Sequence, residues 1–327
     1  MNAVPMVGRA RELGEIVRRW AHVAKRPRSG PSTVVITGNA GMGKSRLVGA
    51  ALAGLHPQAR TVLAGAARLH SPAPYDWLAA VLSDHDTTRL TVPADGLAWL
   101  AQDPHAPSER YAPDALLRLA VRTVRGLIGD GPAVLVVEDL HALDPASLNL
   151  IGELAGAPRL PALIMITSRP PDAAVSPQLV ARTLARLSGA PGAIRQHLGP
   201  LSQEDVGQIL AELYPDPGPV SASIWERTQG NPYWLSELLA TTAGQSLDAL
   251  VSEPLPGYLP LSALPEVDLT ARELEVLECL AAGMSNKQVA KSLEISIRTV
   301  AVHVSSLLRK TGSSSRTEAA LWAVRRS

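Results

Sequence analysis

The 327-residue chain has no Phe, a single Cys, a formal charge of only +1, and no run of 18 uninterrupted apolar residues. Each shortage narrows the reading. One cysteine has no partner for an intramolecular disulfide, and a chain without a long apolar run offers no helix to a membrane. Met1 to Ala10 lack the apolar stretch of a secretory signal, so a cytoplasmic address with no membrane partner is expected. The lack of Phe, beside an excess of Ala, Arg, Gly and Pro, reads as codon bias and excludes no function. The near-zero charge hides an asymmetry: residues 269–327 carry nine Lys or Arg against five Asp or Glu, a net of +4, which leaves −3 before them. A basic C-terminal end suits a polyanionic partner.

With 46% hydrophobic residues and this length, the chain can bury a full-sized core plus a small second domain. Cys279 falls on a helical apolar pattern and reads as core packing. Apolar, β-rich runs at 34–37, 61–63, 134–137 and 163–167, and a weaker one at 194–198, alternate with helical periodicity at 46–55, 75–82, 113–128 and 145–154. That alternation predicts a mostly parallel sheet with helices on both faces. Residues 84–110, rich in Pro, Asp and His, read as a surface insertion. Helical patterns at 203–213, opened by Ser202 and Asp205, at 221–229, and after Pro232 predict a small bundle behind the sheet. Prolines 254, 256, 260 and 265 then mark a semi-extended linker. The expected layout is a nucleotide domain over 1–200, a helical subdomain over 201–245, a linker over 246–267 and a second domain over 268–327.

The strongest motif is Gly38-Asn39-Ala40-Gly41-Met42-Gly43-Lys44-Ser45, the phosphate-loop pattern G-x-x-x-x-G-K-[ST], placed after an apolar run and before a helix that starts near Arg46. Its glycines let main-chain N–H groups and a helix N-terminus face negative charge. Lys44 would meet the terminal phosphates of ATP, and Ser45 a Mg²⁺. A phosphate loop needs a carboxylate at the end of a buried strand beside its own, and the run 134–137 ends in Glu138 and Asp139. One acid would hold Mg²⁺ with Ser45 and the other orient the attacking water. Arg169, after the run 163–167, is the candidate sensor of the terminal phosphate.

These residues resemble the STAND class of P-loop ATPases, and within it the AAA-like domains of large LuxR-type regulators. Val7-Gly8-Arg9-Ala10-Arg11-Glu12-Leu13 is similar to the family's V-G-R-x-x-E-L box, which implies that Gly8 and Arg9 lie near the adenine end. Glu138-Asp139-Leu140-His141-Ala142-Leu143-Asp144 resembles its D-D-L-H-W-A-D segment, with Glu for the first Asp and no Trp. Gln229-Gly230-Asn231-Pro232 resembles its G-N-P motif, which implies that Pro232 touches the base or ribose region. Only about 35 residues separate Asn231 from the next domain, too few for the helical-repeat sensor the family carries there.

From Leu269 the pattern predicts three short helices with tight breaks: Thr270 and Glu273 form a capping box, Gly283 ends the first helix, and Asn286 and Ser296 cap the next two. The last two have the length of a helix-turn-helix unit. On the third, Val300, Val304, Leu307 and Thr311 share an inward stripe, and Arg298, Val302, Ser305 and Arg309 the opposite one. Residues 269–324 are similar to the LuxR-type helix-turn-helix through Leu-Thr-x-Arg-Glu, Gly-Met-Ser-Asn-Lys, Thr299-Val300-x-Val302-His303 and Lys310-Thr311-Gly312. The resemblance implies base contacts by Ala301, Val302 and Ser305, backbone or helix-fixing roles for Lys287, Thr299, His303 and Lys310, and a dimer-forming helix over 317–325. The expected partners are double-stranded promoter DNA and a second copy, as a homodimer or nucleotide-dependent homo-oligomer. Two alternatives stay open: an ATP-hydrolysing remodelling enzyme that uses DNA as an address, and a relic nucleotide domain that serves as a scaffold.

Overall fold

The computed structural model describes residues 6–26, 30–66, 73–107, 111–171, 174, 176–190, 192–242, 247–252, 269–281, 284, 286–293, 295–296, 299–300, 303–304 and 307. The chain forms two compact units, Met1–Val251 and Ser252–Ser327.

The first unit is built on β1 (Ser32–Thr37), β2 (Thr61–Ala66), β3 (Ala133–Glu138), β4 (Ala162–Ser168) and β5 (Ile194–His197). All pair in parallel, in the order β2-β3-β4-β1-β5. A parallel sheet takes its crossovers over its faces and buries both, so its strands are apolar throughout; all seven residues of β4 are buried. Side chains alternate across the pleat. Val34, Ile36, Val134, Val136, Leu163 and Met165 pack on one face with α1 (Ala10–Lys25) and α2 (Lys44–Ala53). Val35, Leu135, Val137, Ile164 and Ile166 face α3 (Asp76–Ser83), α5 (Pro113–Ile128), α6 (Pro145–Ala155) and α7 (Pro177–Gly189). Two fully buried Trp rings add bulk where Phe is lacking: Trp20 Nε1 donates to Pro57 O at 2.6 Å and Trp77 Nε1 to Val136 O at 2.8 Å.

Three expectations change. The strand that ends in the acids does not lie beside β1: β4 stands between them, because the order that makes β3, β4 and β1 the three interior strands places β3 one position out. The insertion contains a helix, α4 (Ala94–Leu100), whose Leu100 is fully buried against the core, so its Pro and His content masked a packed segment. The bundle of α8 (Gln203–Ala211), α9 (Gly218–Thr228) and α10 (Pro232–Thr241) stands at the phosphate loop, where Asn231 and Tyr233 bond its backbone, and not behind the sheet. In addition, residues 247–252 of the expected linker form α11 (Leu247–Ser252), with Leu250 buried and its carbonyl bonded by Arg227.

Capping fixes where helices begin. Ser202 Oγ accepts from Asp205 N–H at 3.1 Å and the Asp205 carboxylate accepts from Ser202 N–H at 2.9 Å, a complete capping box on α8. Pro145 and Pro232 take the first turns of α6 and α10, where no amide donor is needed.

In the second unit, α12 (Ala271–Ala281) and α13 (Asn286–Ser292) share a core of Val276, Leu277, Leu280, Val289 and Ala290 with Val300 and Leu307. Cys279 and Val304 pack against it. Thr270 N–H donates to Glu273 Oε2 at 2.9 Å and Glu273 N–H to Thr270 Oγ1 at 3.3 Å, the expected capping box. Ser296 Oγ accepts from Thr299 N–H at 3.0 Å, as a cap of the third helix must. Most of the linker, Gly283, Thr311 and the helix over 317–325 lie outside the described residues.

Candidate functional site

The loop between β1 and α2 turns through left-handed backbone at Gly41 (φ 78°) and Gly43 (φ 83°), which only glycine adopts without strain. Lys44, 8% exposed, donates from Nζ to Gly38 O and Asn39 O, both at 2.9 Å. Burial holds its ammonium below the usual 10.5, with Asp139 and Glu138 pulling upward and Arg169 downward. Ser45 Oγ donates to Glu138 Oε2. Hydroxyl and carboxylate oxygens brought this close are the hard donors that Mg²⁺ takes. Among the described residues no group of three His, Cys, Asp or Glu forms a metal cage of its own, so the rest of a Mg²⁺ shell would come from phosphates and water.

A cavity of about 300 Å³ is lined by Ala40, Gly41, Gly43, Lys44, Ser45, Arg46, Asp139, Arg169 and Tyr233, among others. The phosphate loop, the second acid and the arginine thus face one space. Asp139 sits at φ 50°, its N–H bonded to Thr167 Oγ1 at 3.0 Å, with its side chain half exposed. Next to it a smaller apolar cavity of about 40 Å³ is walled by Met6, Val7, Arg9, Met42, Leu201, Ile209, Pro232 and Leu235. Pro232 borders both spaces. Arg9 lines the apolar one while its guanidinium bonds Gly199 O. Gly8 stands between the lining residues Val7 and Arg9, and a Cβ there would meet the Asp205 carboxylate at 2.6–2.8 Å, so that glycine serves the close approach to the start of α8.

Several residues went unassigned in the sequence. Asn231 and Tyr233 bond the phosphate loop, and the G-N-P motif was their signal. His141, 7% exposed, accepts Arg169 N–H on Nδ1 at 3.3 Å, so the neutral ring carries its proton on Nε2. Burial, then Arg169 and Lys44, hold its pKa below 6.5 against an upward pull from Asp139. A His with a depressed folded pKa favours the neutral ring when folded, so the unfolded chain takes up the proton first. Its share of stability is intact above 6.5, is lost as pH falls from there to the lower folded value, and changes no further below. Urea denaturation at about pH 7.5 and about pH 5.5 should show wild type losing more stability than His141→Gln; equal losses would remove this role.

Of the tail residues, Thr299 and His303 are helical and partly exposed, and Lys287 lies in α13. Arg298, Ala301, Val302, Ser305, Arg309 and Lys310 lie outside the described residues.

A glycine-turned loop after the first strand, a buried lysine and a hydroxyl joined to an acid at another strand's end define a P-loop NTPase. Residues 5–166 match the family described as AAA ATPase domain, and residues 267–323 the bacterial regulatory proteins of the luxR family. The chain therefore carries an AAA ATPase domain at its N-terminal end and a LuxR-type regulatory domain at its C-terminal end. The transcriptional regulatory protein LiaR of Bacillus subtilis is 45% identical over 64 residues, covering 20% of this chain and 30% of LiaR. The nitrate/nitrite response regulator protein NarP of Escherichia coli is 55% identical over 53 residues, 16% of this chain and 25% of NarP. Protein R02095 of Rhizobium meliloti is 30% identical over 203 residues, 51% of this chain and 19% of its own length. The chain thus spans less than a third of each of these relatives. Among solved structures, the Aeropyrum pernix ORC1 protein in complex with DNA aligns with a TM-score of 0.52 at 16% identity, over 94% of this chain and 85% of that one, a likeness of fold. No helix among the described residues is long and apolar enough to cross a membrane.

Proposed function

We propose that this chain is a transcriptional regulator in which an ATP-binding module, residues 1–245, governs promoter binding and self-association by a LuxR-type helix-turn-helix at 268–327, joined through 246–267. The observation that carries the reading is the shared space before Lys44, Ser45, Asp139 and Arg169, in a chain whose other end is a LuxR-type domain. Lys44 and the amides of residues 38–46 would bind the phosphates of ATP, and Arg169 the terminal one. Ser45 and Glu138 would hold Mg²⁺, which when bound neutralises phosphate charge. Asp139, open to the cavity, would orient water if hydrolysis occurs. Met42, Arg9 and Pro232 would border the base. Closure of α8 and α10 on ATP would favour association of two copies and so raise the local concentration of one tail beside another.

The test is a titration of DNA fragments recovered with the protein from cells, with and without ATP·Mg²⁺. Tighter binding with ATP, lost in Lys44→Ala, supports the switch; identical curves leave a regulator with a scaffold domain. Rapid multiple turnover without a change in DNA affinity would favour the remodelling enzyme. On the tail, Arg298→Ala and Arg309→Ala should each weaken binding to every sequence and lower the salt slope by about 1. Substituting Val302 or Ser305 should change sequence choice instead. An unchanged slope for Arg309→Ala would displace it from the phosphate-gripping stripe.

A further inference from the structure

The phosphate loop has its carbonyls turned to donors of the protein itself. Lys44 serves Gly38 and Asn39. Asn231 Nδ2 donates to Ala40 O at 3.3 Å, and Tyr233 N–H to Gly41 O at 3.2 Å. The last two donors come from the start of α10, so the helical subdomain grips two consecutive peptides of the loop. The approach is close: a Cβ at Gly41 would lie 2.5 Å from Asn231 Oδ1 and 2.9 Å from Tyr233 Cβ.

Beyond this seam lies the apolar cavity of about 40 Å³. Its walls come from two sides. Met6, Val7 and Met42 belong to the sheet domain and the segment before it, and Leu201, Ile209, Pro232 and Leu235 to the helical subdomain. A base that enters between these two walls touches both, and the bonds of Asn231 and Tyr233 to the loop resist their separation.

We propose that Asn231 is a positioning residue that latches α10 to the phosphate loop and sets how fast a nucleotide enters and leaves. The inference rests on the nucleotide-binding reading of the same site. Asn231 has two separable tasks. Its Oδ1 accepts Tyr233 N–H at 2.9 Å and caps α10, while its Nδ2 holds Ala40 O. Serine caps a helix about as well as asparagine, yet its side chain is one bond shorter and does not span to Ala40. Asn231→Ser therefore keeps the cap and opens the latch.

The experiment is stopped-flow mixing of the full chain with Mg²⁺ and a fluorescent N-methylanthraniloyl ATP, followed by chase with unlabelled ATP. Association and dissociation should both quicken about fivefold in Asn231→Ser, the factor carried by one net hydrogen bond, while the melting temperature without nucleotide falls by no more than the about 2–4 °C that this one bond carries. A purely structural cap would leave both rates alone. Should Asn231→Ser melt early, Asn231→Thr repeats the test with another capping residue too short for Ala40. Wild-type rates in a folded variant overturn the latch and leave the nucleotide site standing. If the wild-type chain takes up no labelled nucleotide, site and latch fall together.

Discussion

Lys44→Ala is expected to weaken ATP binding by about 2–5 kcal/mol, thirtyfold or more, the usual loss when one partner of a buried, hydrogen-bonded charge pair is removed. The free protein should scarcely notice. Lys44 is almost covered, and burial holds its pKa below 10.5. A cation with a depressed folded pKa is less at ease folded than unfolded, so its charge costs stability below the folded value, and that cost is relieved as pH rises towards 10.5. Alanine removes the cost and leaves Gly38 O and Asn39 O to the water of the adjoining cavity. Melting without nucleotide should stay near wild type while the upward shift given by ATP disappears. Calorimetric titration and thermal melting check both halves. Lys44→Arg should not restore binding, because a planar guanidinium does not replace a compact ammonium inside a tight loop. Wild-type affinity in Lys44→Ala would end the assignment of this loop to phosphate.

Asp144→Ala should produce the largest loss of stability, about 3–4 kcal/mol from two caps and buried donors left without acceptors. Asp144 is 7% exposed. Its Oδ1 accepts N–H groups of Ala146 and Ser147 at 2.9 Å and of Tyr75 at 3.1 Å, and its Oδ2 accepts that of Asp76 at 3.2 Å. One carboxylate thus caps α6 and ties down the start of α3, where Tyr75 stands at φ 65°. At about 2–4 °C per kcal/mol for a unit of this size, the melting temperature should fall by roughly 10 °C. Asp144→Asn keeps the oxygen that serves three donors and should lose about half as much. Equal melting of Asp144→Ala and wild type would show that water serves these amides just as well.

The sequence made legible what local chemistry dictates. The interior strands β1, β3 and β4 announced themselves because a parallel sheet buried on both faces leaves unbroken apolar runs, the edge strands β2 and β5 gave a fainter signal, and the phosphate loop was plain because its glycines answer to backbone angles. Ser202 with Asp205 and Thr270 with Glu273 were readable for the same reason: a capping box closes within four residues. Strand order was not readable, since the interposition of β4 between β1 and β3 is decided by crossovers and leaves no local mark. Helix α7 went unseen because only Val180, Thr183, Leu184 and Leu187 of it are buried, a thin stripe among Arg and Ala. Asn231 and His141 stood inside recognised motifs, but their partners, Ala40 and Arg169, lie 191 and 28 residues away and only folding brings them near.

The interposed strand works as a ruler. With neighbouring strands about 4.8 Å apart, the tips of β1 and β3 are separated by roughly 10 Å across β4, and the Ser45 hydroxyl and Glu138 carboxylate must close that span. The width that permits the meeting is set by the ladder bonds of β4 to β1 and β3, a strand held in place by wholly enclosed side chains such as Ile164 and Ile166. Substitutions deep in the core, chemically mute by themselves, can therefore detune the spacing of these two oxygens without unfolding the protein.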